Sequence, residues 1–161
     1  PGYTGLLIDM SGSMDDRLSE RSENLRWKAG AGLAILLREK CESVEIATFS
    51  DQVVMLPPRR GMALRDLINQ SQEHSGTYLR QALEALHQKA RNWLSLDRMI
   101  VITDEQAHDG IYPAWIKKSY VINVAPYKHG LSYGNGWTHV DSWSERIFDY
   151  INLVEQTDTK R

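Results

Sequence analysis

One cysteine, Cys41, stands in 161 residues, so no internal disulfide can staple the chain. A lone thiol at the end of a predicted helix reads as structural filler, and it fits a reducing, cytoplasmic compartment. No apolar run approaches the roughly 18–20 residues that a membrane span needs, so no membrane partner is expected. A signal-peptide pattern is lacking, and so is an initiator methionine before Pro1. Beginning on the doorstep of an apolar strand, the sequence reads as a domain excised from a longer protein. Charge of one sign is also lacking: 19 Lys and Arg against 21 Asp and Glu leave a formal charge of −2. That balance gives no support for a broad nucleic-acid-binding surface. The small basic turn Pro57-Pro58-Arg59-Arg60 could touch phosphate or simply be solvated. There is no Gly-x-x-x-x-Gly-Lys phosphate loop and no Gly-x-Ser-x-Gly elbow, and Ser11 has no obvious His partner. Nucleophilic catalysis is unsupported, and the expectation is a domain that is not an enzyme. His74, His108, His129 and His139 fall in predicted loops without zinc-site spacing.

What is present is an alternation of apolar runs and helical patterns, which argues for an α/β sandwich with helices on both faces of a mostly parallel sheet. Strands are expected at Thr4–Asp9, Ser43–Phe49, Gln52–Leu56, Arg98–Thr103 and Tyr120–Ala125. Ser50-Asp51 reads as a hairpin turn, which makes Gln52–Leu56 the one antiparallel edge strand. Met14 to Ser22 reads as a polar loop, with Asp15, Asp16 and Arg17 on its rim. Helices are expected at Glu23–Lys40, Met62–Asn69, Tyr78–Ala90, Pro113–Lys117 and Ser142–Glu155. The first should bury Leu25, Ala29, Leu33, Leu36 and Leu37. Its Gly30, Ala31, Gly32 and Ala34 suit a helix backbone pressed close to a sheet, at about 1 kcal/mol for each glycine. Tyr127–Thr138 reads as a loop and Trp143, Ile147, Tyr150, Ile151 and Val154 as the apolar face of the last helix. The domain thus spans 1–156, with 157–161 a frayed tail.

The chemistry concentrates after the first strand. In Asp9-Met10-Ser11-Gly12-Ser13 a carboxylate and two hydroxyls leave the strand end at alternate positions, and Gly12 permits a sharp turn. Three hard oxygen donors on one tight loop suit a divalent cation such as Mg²⁺, with Mn²⁺ or Ca²⁺ as alternatives. The same residues also suit a turn and helix N-cap, where Asp and Ser are favoured.

Asp-x-Ser-x-Ser resembles the metal-ion-dependent adhesion site of von Willebrand factor A domains. The resemblance runs from the first strand to the last helix and implies a Rossmann-like three-layer sandwich. It further implies two distant ligands, met by Thr77 in Ser75-Gly76-Thr77 and by Asp104 in Val101-Ile102-Thr103-Asp104. Read by themselves, a Ser-Gly-Thr before a helix is often a cap, and an aspartate after an apolar strand is common. In doubly wound sheets, however, ligands bind outside the carboxyl ends of the strands, where Asp9 and Asp104 are placed. Without a cation the two carboxylates should repel, so loss of Asp104 should not destabilise the metal-free domain. The implied partner is a protein that supplies an acidic side chain to the metal. Many members carry glycine after the last aspartate, where this chain has Glu105 followed by Gln106. A carboxylate there would repel an acidic ligand, serve as an internal ligand, or remain a solvated rim residue.

The last third, Tyr120 to Ala125, Gly130, Tyr133-Gly134, Trp137 to Asp141 and Ser144-Glu145, is similar to the C-terminal A domain of bacterial Ro-like (TROVE) proteins. That similarity implies a ribonucleoprotein parent that binds RNA through its helical-repeat region rather than through this domain. Tyr133, Trp137 and His139, with Trp143, could form a contact surface, or anchor a loop and pack the final helix. A domains also serve as regulatory or scaffolding subunits of metal-chelatase and AAA-type ATPase complexes, the alternative function. A haloacid-dehalogenase-like phosphotransferase would want Asp-x-Asp where this chain has Asp-x-Ser.

Overall fold

A computed structural model describes residues 2–15, 26–73, 76–104, 111–124 and 136–140, together with 151, 153, 155 and 156. Its elements are β1 (Tyr3–Asp9), α1 (Arg26–Lys40), β2 (Ser43–Phe49), β3 (Val53–Met55), α2 (Gly61–Gln70), α3 (Leu79–Lys89), β4 (Arg98–Thr103), β5 (Lys118–Asn123) and β6 (Thr138–Val140). Short 3₁₀ turns lie at Gly12–Asp15 and Arg91–Leu94. The six strands form one sheet in the order β3-β2-β1-β4-β5-β6. Among the described strands, only the β2–β3 pair is antiparallel. With α1 and α2 on one face of the sheet and α3 on the other, the fold is a three-layer α/β sandwich.

The middles of the central strands β1, β2, β4 and β5 are largely apolar because both faces of the sheet are covered there. Leu6, Ile8, Ile46, Ile100, Ile102 and Ile122 point to the side of α1 and α2, where Leu33, Leu37, Leu64 and Ile68 meet them. Their neighbours Leu7, Ala47, Met99, Val101 and Val121 point the other way, against Leu79, Leu83 and Leu86 of α3 and the completely buried Trp93. Gly5 lets Trp93 and Leu96 lie on β1, since a Cβ there would sit 2.4 Å from Leu96 Cδ1 and 2.9 Å from Trp93 Cζ3. Likewise a Cβ on Gly30 would come within 2.9 Å of Ile8 Cγ2, so α1 is seated tightly on β1. Gly32 has nothing within 4 Å and does not share that role.

Several expectations need correction. Leu36 is 45% exposed, while Trp27, Ala31 and Ala34 are buried in its place, because α1 is covered by α2 as well as by the sheet. Met14, assigned to a polar loop, is completely buried. Pro113–Lys117 is not helical. Five residues are too few to nucleate a helix unaided, and this stretch is pinned by its side chains. Trp115 donates to the Trp93 carbonyl at 2.8 Å and stacks on His87 at 4.7 Å, and Ile111 and Ile116 are buried. His139 is on strand β6 rather than in a loop. Of the last helix, Ile151, Leu153, Glu155 and Gln156 are described and helical, and the remainder of Ser142–Glu155 lies outside the described residues. Among the described residues, no helix is long and apolar enough to cross a membrane.

Candidate metal centre

The chain builds β1, α1 and β2 toward one side of the sheet, then returns to place β4 on the other side of β1. The boundary between β1 and β4 is therefore the switch point at which doubly wound sheets open a crevice beyond their strand ends. Ile8 pairs with Ile102, so the residues that follow, Asp9 on one strand and Thr103-Asp104 on the other, leave the sheet side by side. Both aspartates are completely buried.

Asp9 accepts hydrogen bonds from Ser11 and Thr103. Its Oδ1 accepts the Ser11 backbone N–H at 2.8 Å, and its Oδ2 accepts the Thr103 hydroxyl at 2.7 Å. The first bond is an Asx-turn, so the turn-forming reading of this loop is realised alongside any ligand role. The Ser11 carbonyl then accepts the Met14 N–H at 3.0 Å to close the 3₁₀ turn. This turn brings the Ser11 and Ser13 hydroxyls to 3.3 Å from each other. Ser11 is completely buried and Ser13 is half-buried.

Thr77 arrives from the other flank. The Tyr78 N–H donates to the Ser50 carbonyl at 3.1 Å, the Ser50 hydroxyl donates to the Gly76 carbonyl at 2.9 Å, and the Gly76 N–H donates to Asp51 Oδ1 at 3.0 Å. These bonds fasten the loop before α3 to the carboxyl end of β2, the strand beside β1. A Cβ on Gly76 would lie 2.5 Å from Asp51 Oδ1 and 2.7 Å from Tyr78 Cε2, so a larger residue would have to displace those side chains. Thr77 itself is buried. All five predicted donors thus sit at the same end of the sheet, three of them on β1 and its turn.

Burial and the neighbouring charge of Asp104 push the Asp9 pKa up to about 7, and the hydrogen bonds from Ser11 and Thr103 do not offset them. The surroundings therefore leave the Asp9 carboxylate short of positive charge. Arg26, in the first described turn of α1 and only 6% exposed, was not anticipated here. Its Nη1 donates to Asp104 Oδ2 at 3.1 Å and to the Ser13 carbonyl at 3.3 Å. A charged residue opening a helix ordinarily reads as solvated. The signal that could have found it is its position one turn before Gly30, on the face that meets β1. Thr103 likewise reads from the sequence as one more residue of an apolar strand, with nothing local to mark its hydroxyl.

The oxygen donors fit a hard divalent cation: two carboxylates and up to three hydroxyls, with no sulfur or imidazole. Among the described residues, no group of three or more His, Cys, Asp or Glu side chains gathers as an alternative centre.

The other predicted contact residues fare differently. Trp137 is buried, and its indole N–H donates to the Tyr112 carbonyl at 2.8 Å, which removes it from the contact surface expected of it. His139 is half-buried on edge strand β6. Glu105 and Tyr133 lie outside the described residues.

No protein-family model matches the sequence, and no curated protein matches it. Solved structures do resemble it. The Ro (RSR) protein of Deinococcus radiodurans superposes with a TM-score of 0.71 and 17% identity over 94% of this chain and 34% of that one. An aerotolerance-related membrane protein from Bacteroides fragilis gives 0.64 and 16% over the whole of both chains. The conserved hypothetical protein BatB of Bacteroides thetaiotaomicron gives 0.63 and 16% over 99% of this chain and 98% of that one. At such identities the likeness is one of fold, and this chain spans about a third of the Ro protein.

Proposed function

We propose that the carboxyl end of the β1–β4 pair is a divalent-cation site and that the domain is a non-catalytic, metal-dependent interaction module. The observation that carries this is the placement of two completely buried aspartates side by side at the switch point. Burying like charges together is costly unless a cation joins them. Asp9 and Asp104 would supply the charge, and Ser11, Ser13 and Thr77 would supply neutral oxygens. Mg²⁺ suits this set, with Mn²⁺ or Ca²⁺ as substitutes. Bound there, the ion would offer an electrophilic position that an acidic side chain of a partner protein can complete. Titration calorimetry with MgCl₂ and MnCl₂ on chelator-stripped protein tests the reading. Saturable binding to the parent, lost in both Asp9→Asn and Asp104→Asn, is expected. A parent protein that takes up neither metal at millimolar concentration overturns it.

The resemblance of the last third to Ro-like proteins implies an RNA-associated parent with RNA held outside this domain, and the fold shared with the Ro (RSR) protein is compatible with that reading. Arg59 and Arg60 of the basic turn, and Arg65 just after it, all have neighbours: Arg59 donates to the Pro58 carbonyl at 3.2 Å. Arg60 pairs with Glu39 at 3.2 Å, and Arg65 lies over the Trp27 ring at 5.5 Å. Nonspecific RNA affinity comes chiefly from phosphate neutralisation by Lys and Arg. Filter binding at ~150 mM salt should therefore show weak or no RNA binding by the isolated chain. Sub-micromolar binding lost on Arg59→Ala/Arg60→Ala would make this domain an RNA reader instead. A regulatory subunit of a chelatase or AAA-type ATPase complex would use the same metal site, and co-purification with an ATPase partner would favour it.

A further inference from the structure

We infer that Arg26 is a tethered counter-cation of the metal site, which competes with the divalent ion for Asp104 and makes metal uptake conditional on its withdrawal. The inference rests on the reading of the Asp9–Asp104 cluster as a cation site, and it adds a built-in competitor to that site.

The geometry begins at Gly30. Without a side chain there, α1 settles against Ile8 of β1 and Ile102 of β4, which a Cβ would approach to 2.9 and 3.6 Å. Arg26 is four residues earlier, one helical turn toward the strand ends on the same face. Ile8 precedes Asp9 and Ile102 precedes Thr103-Asp104, so the turn above Gly30 hangs over the crevice. The guanidinium enters it and is nearly as buried as its carboxylate partner. One nitrogen binds both a side-chain oxygen of a proposed ligand and the backbone of the loop that carries Ser13. Two things follow. Asp104 Oδ2 already has a cationic partner, so an incoming ion must displace or share that contact. The same contact ties α1 to the loop after β1, so displacing the guanidinium frees both elements at once. Metal occupancy would then be read out as the position of α1 and of the Gly12–Asp15 turn.

Comparison of the parent with Arg26→Gln and Arg26→Lys tests this, with affinity for Mg²⁺ and Mn²⁺ from calorimetry and melting temperature with and without metal. In Arg26→Gln, removal of the competing charge should tighten metal binding by about ten-fold or more, the size of one charge-assisted hydrogen bond. Its metal-free melting temperature should fall while the rise on adding Mg²⁺ becomes larger than in the parent. Arg26→Lys, which keeps the charge, should stay near the parent affinity. Should Arg26→Gln fold only with metal present, folding coupled to binding would weaken its apparent affinity, and Arg26→Met, which also removes the charge but keeps the apolar stem, takes its place under the same criteria. Unchanged or weaker metal binding in Arg26→Gln, with the parent binding normally, would overturn the competitor role and leave the metal site standing. Binding by Arg26→Gln alone would support the competition and overturn metal use by the parent. No binding by any of the three would overturn both.

Discussion

At the amino ends of β1 and β4, Arg98 lays its guanidinium along the Glu155 carboxylate, with bonds of 2.5 and 2.6 Å, and also donates to the Thr4 hydroxyl at 2.9 Å. Tyr120 donates to the same carboxylate at 3.2 Å, and Lys118 lies 3.6 Å from it. At the carboxyl ends of the same two strands, two buried aspartates face each other, and Arg26 reaches only one of them among the bonds described above. Burial raises the Glu155 pKa, but the bidentate bond and charge of Arg98 outweigh it and hold the carboxyl below its ordinary value. At the opposite end the balance runs the other way and Asp9 is raised. Both clusters are buried and both are rich in hydrogen bonds, so neither feature separates a clamp from a site. The sign of the unmet charge does. A cluster whose charges are matched stores stability, and one that holds like charges together is where the proposed cation would bind.

The largest effect expected from breaking this contrast is at the clamp. Glu155→Ala leaves Arg98 buried with its main anion gone, and removal of one partner of a buried pair costs about 3–5 kcal/mol. Urea denaturation should show that loss. Asp104→Asn, measured metal-free, should cost much less, because it also relieves the repulsion on Asp9. It is not free, since Arg26 loses a charged acceptor. The expectation drawn from the sequence, that loss of Asp104 would cost nothing, holds only for a site without an internal cation. Equal losses in the two variants would mean that the carboxyl end is a second clamp.

That revision shows where the sequence was legible. Runs such as Arg98–Thr103 announced their strands, because burial on both faces leaves no polar alternation to confuse. The hairpin at Ser50-Asp51 and the inward set Leu79, Ala82, Leu83 and Leu86 followed local rules and were readable one element at a time. That Asp9, Ser11, Ser13, Thr77 and Asp104 share one end of the sheet was readable because Asp9 and Asp104 close apolar strands, the two serines are on the turn after the first, and Thr77 precedes a helix. Arg26 was not, since its role depends on how closely α1 approaches the sheet, and that is a property of two elements together. Leu36 failed for the same reason: α2 covers a face that a single amphipathic stripe leaves open. Strand β6 escaped because three residues carry no period.

Acid should move the two ends in opposite directions. Burial and the charge of Asp104 push the Asp9 carboxyl from its ordinary 3.8 up to about 7 in the folded chain. Between those values the folded form holds a proton that the unfolded form has released, so metal-free stability falls as pH rises from about 4 to about 7. Glu155 has its folded value below 4.5, so its contribution is intact above that pH and is lost as pH falls through the folded value. Metal-free stability measured against pH should thus improve on mild acidification and then collapse on stronger acid. Asp9→Asn should remove the first limb and leave the second. A profile in which Asp9→Asn changes nothing between pH 4 and 7 would mean that Asp9 is not short of positive charge.

The smallest effects come from two glycines of α1 that are spaced two apart and differ only in what faces them. At Gly30 an added methyl meets Ile8, which is completely buried and cannot yield. Overpacking of that kind costs about 1–3 kcal/mol, against roughly 1 kcal/mol regained in helix propensity. Gly30→Ala should therefore be neutral to destabilising. By lifting α1 it should also draw Arg26 away from Asp104 and so alter metal affinity, while the Arg98–Glu155 clamp at the other end of the sheet is untouched. At Gly32 the methyl enters open space, and the propensity gain of about 0.5–1 kcal/mol is uncontested. Gly32→Ala should raise the midpoint of urea unfolding and leave metal affinity unchanged. If both substitutions stabilise equally and neither shifts metal binding, α1 does not sit on β1 closely enough to hold Arg26 over the crevice.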